Sequence, residues 1–159
     1  MTSASSPPYR IGRSKTGLGM FATAPIRKGA FIAEYTGRRL TSEQADKKWR
    51  SRYLFDLNKR WTIDGTPRSN VARYINHACR PNAEPFIYGG KIRIRAVKRI
   101  EPEQEITYNY GKDYFDLFIT KARCKCAACV AKRRRKRAAA RMANGAGKKA
   151  KKNGKAYRR

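Results

Sequence analysis

Histidine is nearly absent from this chain and acids are scarce. Neither a long apolar run nor an internal repeat is present. A single histidine excludes any metal site built from several imidazoles, and a Ser-His-Asp triad must use His77 or not exist. Only 11 Asp and Glu stand against 39 Lys and Arg, for a net charge of +28, and no acid follows Asp116. No apolar stretch approaches the length of a membrane span, so no membrane partner is expected. The first eight residues are rich in Ser and Pro and lack the basic-then-apolar pattern of a secretory signal. An intracellular protein is expected: cytoplasm or nucleoid in a bacterium, nucleus in a eukaryote or after delivery to a host. The four cysteines then read as reduced thiols or metal ligands rather than disulfides. The full G-x-G-x-x-G pattern is missing too, so a dinucleotide or Walker-type phosphate site has no support.

Length, at 159 residues, fits one modest domain. Hydrophobic residues at 40% and aromatics at 11% suffice for a core despite the charge. Residues 1–8 read as a disordered N-terminus and residues 9–116 as the folded domain. Residues 117–130 form a cysteine-bearing segment and residues 131–159 a basic low-complexity tail. The segment 117–159 carries 17 Lys and Arg and no acid. The tail composition cannot bury a core and reads as solvated, at most transiently helical over 131–143.

Within the domain, short strands dominate. Strand signals cover residues 31–35, 52–57, 61–64, 91–97 and 105–110. Residues 91–97 alternate cleanly, with Ile92 and Ile94 inward and Lys91, Arg93 and Arg95 outward. In 105–110 the alternation puts Ile106, Tyr108 and Tyr110 on one face. Thr41 and Gln44 form a capping box, which predicts a helix from there to about Trp49. A helical turn is expected over 70–75.

Four pieces carry chemistry. Gly17-Leu-Gly19 allows a tight turn and close approach of backbone to a ligand, although most such pairs are plain turns. Asn76-His77 supplies a polar, two-way hydrogen-bonding pair, and Pro81-Asn82 fixes the segment with a turn. A lone histidine is usually a satisfied core residue, but these neighbours argue for a site. Cys124, Cys126 and Cys129 pack three thiols within six residues, which suits a tetrahedral zinc lacking its fourth ligand. Cys79 is the only cysteine left, so a zinc site demands that Cys79 lie beside them. Tyr108 and Tyr110, with Tyr35 and Tyr53, could be ordinary core aromatics. Together they could also wall a narrow tube with polar tips that fits the aliphatic stem of a lysine.

The order of these motifs closely resembles the SET-domain protein lysine methyltransferases. The likeness runs through Gly17-x-Gly19, Phe31-Ile-Ala-Glu-Tyr-Thr-Gly37, Tyr53-Leu-Phe-Asp-Leu57, Asn76-His-Ala-Cys79-x-Pro-Asn82 and Glu105-Ile-Thr-Tyr-Asn-Tyr-Gly111. It covers about residues 9–130 and ends in a cysteine cluster resembling a post-SET zinc segment. Ser69, Ala78 and Asn109 stand where the family commonly has Gly, Ser and Asp, and the cysteine spacing is shorter than usual. No cysteine-rich segment precedes residue 9, which predicts a minimal, free-standing member.

The resemblance implies a mainly β fold of small curled sheets with a C-terminal pseudoknot and few short helices. It implies methyl transfer from S-adenosylmethionine to a protein lysine. Tyr110 would be the catalytic tyrosine, with Tyr35 and Tyr108 lining the lysine channel. Thr16, Gly17, Leu18, Tyr53, Asn76, His77 and Tyr110 would contact S-adenosylmethionine. Cys79, Cys124, Cys126 and Cys129 would hold Zn2+. A tyrosine at 108 implies mainly monomethylation. The expected substrate is histone-like or a nucleoid protein, with the basic tail anchoring the enzyme on nucleic acid. So basic a protein would repel a basic substrate, and Glu34, Asp56, Asp64 and Glu84 are candidates for an acidic lip that offsets this. A basic nucleic-acid coat protein without activity explains the tail but not the tyrosines. A catalytically dead zinc docking module explains only the cysteines.

Overall fold

The computed structural model describes residues 6–153. Ten short strands are present among the described residues: β1 (Tyr9–Ser14), β2 (Gly17–Ala22), β3 (Phe31–Tyr35), β4 (Arg38–Thr41), β5 (Leu54–Asp56), β6 (Trp61–Asp64), β7 (Asn76–His77), β8 (Ala83–Tyr88), β9 (Lys91–Ala96) and β10 (Glu105–Tyr108). They form three small sheets in the orders β1-β2-β10-β7, β3-β9-β8 and β4-β6-β5. A short helix α1 (Ser42–Asp46) follows β4, and a 3-10 turn spans Val71–Tyr74. After β10 come α2 (Lys112–Tyr114), a π-helical turn (Phe115–Ile119), α3 (Thr120–Arg123) and α4 (Ala127–Asn153). This is the mainly β, small-sheet fold that the resemblance implies. Among the described residues no helix is long and apolar enough to cross a membrane.

The alternation in β9 is realised. Ile92, Ile94 and Ala96 are buried, whereas Lys91 and Arg95 face out. They join Met20, Ile26, Ile32, Ile75, Ile100 and Ile106 in one core that all three sheets share. Each such aliphatic side chain contributes about 1.5–3 kcal/mol by leaving water.

Three elements differ from the sequence expectation. The capping box forms, with Gln44 N–H donating to Thr41 Oγ1 and Thr41 N–H to Gln44 Oε1, but α1 stops at Asp46. It buries no residue and Trp49 is exposed, so nothing packs against a longer helix, and the chain continues in looser turns. Strand β5 is shorter than 52–57, although in-register bonds flank it, Gly65 N–H to the Tyr53 carbonyl and Leu57 N–H to the Trp61 carbonyl. Strand β10 ends at Tyr108, so Tyr110 does not continue the strand face. Its N–H goes to His77 rather than to a ladder.

The C-terminal segment also departs from a transiently helical tail. Helix α4 is continuous from Ala127 to Asn153, as the alanines at 131 and 138–140 favour. Arg133 fastens its first turns by donating to the carbonyls of Lys121 and Cys124, and beyond it side chains through residue 143 are exposed. Residues 154–159, and residues 1–5 of the expected disordered N-terminus, lie outside the described residues. Pro8, inside that stretch, is held by Thr23 N–H donating to its carbonyl at 2.9 Å.

The connection that positions the site is β10, which lies between β2 and β7. It pairs antiparallel with β2 and parallel with β7, with Thr107 opposite Asn76 and Tyr108 opposite His77. Buried Asn82 seals this pairing. Its Nδ2 donates to the Glu105 carbonyl at 2.9 Å, and its Oδ1 accepts from Thr107 N–H at 2.8 Å. Removing that side chain leaves two backbone groups unpaired, each costing about 1–3 kcal/mol. Asn82→Ala is therefore expected to lower unfolding free energy by about 2–4 kcal/mol in urea denaturation. A loss below about 0.5 kcal/mol would show that the clamp is dispensable.

Candidate active site and metal centre

The pairing of β7 with β10 brings Asn76-His77 and Tyr108-Asn-Tyr-Gly111 to one cavity of about 930 Å3. That volume is within the range of small-molecule sites. Gly17 turns the backbone at φ +117°, and Thr16 and Leu18 on either side of it line the cavity. Gly19 has a different reason: a Cβ there would sit 2.6 Å from the Glu105 carboxylate. That carboxylate accepts from Ser14 Oγ at 2.7 Å and Asn76 Nδ2 at 2.8 Å. Asn76 Nδ2 also donates to the Leu18 carbonyl at 2.9 Å. The Asn76 amide is thus fixed from two sides.

The tyrosines form the opposite wall. Tyr108 and Tyr110 have ring centroids 4.9 Å apart, and Tyr114 meets Tyr110 edge-on at 4.7 Å. Phe55 bridges Tyr35 and Tyr108 at 5.3 and 6.2 Å. Tyr110 OH donates to the Ile75 carbonyl at 2.7 Å and Tyr35 OH to the Tyr53 carbonyl at 3.0 Å. Burial raises all three phenols, Tyr35, Tyr108 and Tyr110, well above their ordinary range. They stay neutral and act as hydrogen-bonding dipoles, not as phenolate bases. Burial also lowers His77, which favours the neutral ring.

Thr16, Leu18, Tyr35, Tyr53, Asn76, His77, Tyr108 and Tyr110 all line this cavity, whereas Gly17 only shapes the turn. The sequence reading missed Phe55 and the Tyr114 and Phe118 wall. The crowding of Tyr114, Phe115, Leu117, Phe118 and Ile119 into six residues is the signal that could have found the latter. The acidic lip does not form. Glu34 pairs with Lys91 and Glu84 with Arg95 across the β3-β9-β8 sheet, and Asp64 is buried against Lys48. Of the four only Asp56 lines the cavity, whose walls also carry Arg52, Arg68, Arg73, Lys112, Arg123 and Lys125.

Beside the cavity, Cys79 meets the three C-terminal cysteines, as the metal argument demands. All four sulfurs lie within 4.8 Å of one another, with Cys79 at 3.5 Å from Cys129 and 4.0 Å from Cys124. A tetrahedral thiolate zinc with Zn–S near 2.3 Å spaces its sulfurs roughly 3.8 Å apart. The four thiols are therefore grouped closely enough to hold a zinc ion, with the wider sulfur pairs drawing in by up to about 1 Å on binding. At Cys126 burial opposes ionisation, yet backbone N–H groups and neighbouring thiols outweigh it and bring the thiol down to about 7.

Residues 17–111 match the family model of the SET domain. Histone-lysine N-methyltransferase Set2 of Drosophila melanogaster is 37% identical over 135 residues, covering 77% of this chain and 6% of that protein. Histone-lysine N-methyltransferase ASHH1 of Arabidopsis thaliana is 33% identical over 124 residues, covering 70% of this chain and 25% of that protein. The chain thus spans a quarter or less of these two relatives. Among solved structures, a Polycomb Repressive Complex 2 of Chaetomium thermophilum bound to S-adenosylmethionine matches with TM-score 0.61 and 30% identity, over 67% of this chain and 15% of that one. The family match covers more than half of the chain, from the turn at Gly17 to the end of the Tyr108–Gly111 run, and the chain belongs to the SET-domain family.

Proposed function

We propose that this protein is a lysine methyltransferase that uses S-adenosylmethionine and acts on protein. The observation that carries this is the shared cavity. Asn76-His77 and the buried tyrosines open on the same space, and the β7–β10 pairing holds them together. The relatives are histone-lysine N-methyltransferases, and a structural neighbour is bound to S-adenosylmethionine. Thr16, Leu18, Tyr53, Asn76, His77 and Tyr110 would hold the cofactor, with Gly17 shaping the backbone. Asn76 Oδ1 has no protein partner among the described residues and is available to accept from an ammonium group.

S-adenosylmethionine supplies an electrophilic methyl group. The protein must supply a neutral, aligned amine, and a free lysine has a pKa of about 10.4. Tyr35, Tyr108 and Phe55 make an apolar sleeve that strips water from the amine and disfavours its charged form. Tyr110 OH, fixed on the Ile75 carbonyl, orients the amine for in-line attack, so positioning carries much of the rate. No carboxylate is needed as base. The Tyr108 hydroxyl narrows the channel, which favours a single methyl. We assign residues 9–116 to catalysis and 117–130 to the zinc segment.

Helix α4 has no acid and a solid basic run at 132–137, which suits sequence-independent binding to phosphates. Because cations dominate the cavity rim, a histone-like or nucleoid substrate is best met on nucleic acid, whose phosphates screen both partners. This favours action at chromatin or nucleoid.

Tyr110→Phe is expected to retain the fold and to lower kcat for a lysine peptide roughly 100-fold or more, while the parent yields mainly monomethyl-lysine by mass spectrometry. Full activity in the variant would remove the assignment. Because Arg133 anchors α4, a chain ending there tests the helix. It should lose about tenfold or more in DNA affinity and flatten its salt dependence, yet still methylate the peptide. Unchanged DNA affinity would contradict the anchor.

A further inference from the structure

His77 is the single histidine of the chain, and both of its ring nitrogens are engaged. Its Nδ1 accepts from Tyr110 N–H at 3.2 Å. A nitrogen that accepts carries no proton, so the ring proton sits on Nε2. Nε2 lies 3.4 Å from the Cys79 sulfur, and Cys79 belongs to the four-thiol cluster. The ring cannot swing freely between these contacts. Tyr110 packs edge-on to it at 5.5 Å, and Phe115 packs on it at 5.1 Å.

We propose that His77 is a positioning residue that ties the zinc site to the active-site tyrosine, donating through Nε2–H to the Cys79 sulfur while its Nδ1 accepts the Tyr110 N–H. The role of Tyr110 rests on the methyltransferase reading; the relay itself does not. Donor and acceptor matching makes the relay directional. A metal-bound cysteine sulfur has no proton to give and can only accept, so it demands a proton on Nε2. The same tautomer leaves Nδ1 bare for Tyr110. A free thiol can instead donate to Nε2, which drives the ring proton to Nδ1. That proton would then face the Tyr110 N–H, two donors in opposition, and the tyrosine backbone would lose its anchor. Zinc at Cys79, Cys124, Cys126 and Cys129 thus selects the tautomer that seats Tyr110. Histidines bound directly to metals are commonly oriented by an outer hydrogen bond. Here the order is inverted, and the histidine is the outer partner of a cysteine ligand.

The test uses the full chain, labelled with nitrogen-15 and loaded with zinc. With one histidine, its ring signals are unambiguous in a long-range proton–nitrogen spectrum. The expected result is a protonated Nε2 and a bare Nδ1, and in cadmium-113-loaded protein a coupling between the Nε2 proton and the metal across the Cys79 sulfur. A proton on Nδ1 in the loaded protein would overturn the relay. Two variants separate its arms. His77→Gln puts an amide donor near the Nε2 position, and His77→Asn puts an amide acceptor near the Nδ1 position. By chelator competition, His77→Gln should keep zinc affinity within about threefold, whereas His77→Asn should lose about tenfold or more. The order should reverse for kcat, with the larger loss in His77→Gln. Zinc affinity and kcat falling in parallel, or undiminished zinc affinity in His77→Asn, would overturn the proposal. If no lysine is methylated by any form, the methyltransferase reading fails, and the tautomer and zinc affinities still decide the relay.

Discussion

The parallel pairing of β7 with β10 is two residues long, and the candidate site is assembled around it. So short a ladder cannot hold itself. Parallel pairing is slightly the weaker kind, and each hydrogen bond contributes only about 1 kcal/mol net. The side chains around it make up the difference. Asn82 clamps β10 from one side, His77 takes the Tyr110 N–H just past the strand end, and Tyr110 OH returns to the Ile75 carbonyl. These bonds link the 75–82 segment to the 105–110 segment at several points. The ligand cavity, the tyrosine wall and the cysteine cluster all radiate from that seam.

Polar groups at the seam are nearly all committed. Glu105 uses one carboxylate oxygen to hold both Ser14 and Asn76, which ties the β1–β2 hairpin to β7. The tyrosines are buried and neutral, so the candidate site is a preorganised set of dipoles rather than an acid–base pair. This suits a displacement in which the amine arrives uncharged. The surrounding field is positive, and of the acids that could have balanced it Glu34 and Glu84 are occupied by cross-strand cations on another sheet. On the proposed reading, substrate choice needs help from outside the cavity, and the basic helix α4 would supply it.

Local patterns made much of this legible. Strands β3 and β6 have the bounds that their side-chain alternation and turn residues suggest, and the Thr41–Gln44 box forms as its chemistry requires. The demand that Cys79 join Cys124, Cys126 and Cys129 came from ligand counting and is met. What the sequence hid was set by distant partners. Tyr110 looked like a strand residue because nothing local shows that an imidazole 33 positions away takes its N–H. Glu34 and Glu84 looked free for a lip because strand register, not spacing, gave them Lys91 and Arg95. Tyr114 and Phe118 carry no local motif, and only the helical segment after Gly111 brings them onto the site. The continuity of α4 was hidden differently: its charge suggested a solvated coil, and its alanines favoured helix.

The central claim is that three separate stretches of backbone close around one cofactor. Amide hydrogen exchange with and without S-adenosylhomocysteine tests it most directly. Saturating ligand should slow exchange together at residues 16–19, 76–78 and 108–111, with the outer face of the β3-β9-β8 sheet unaffected. Exchange unchanged at these three stretches under saturating ligand, or protection confined to another face, would contradict the account.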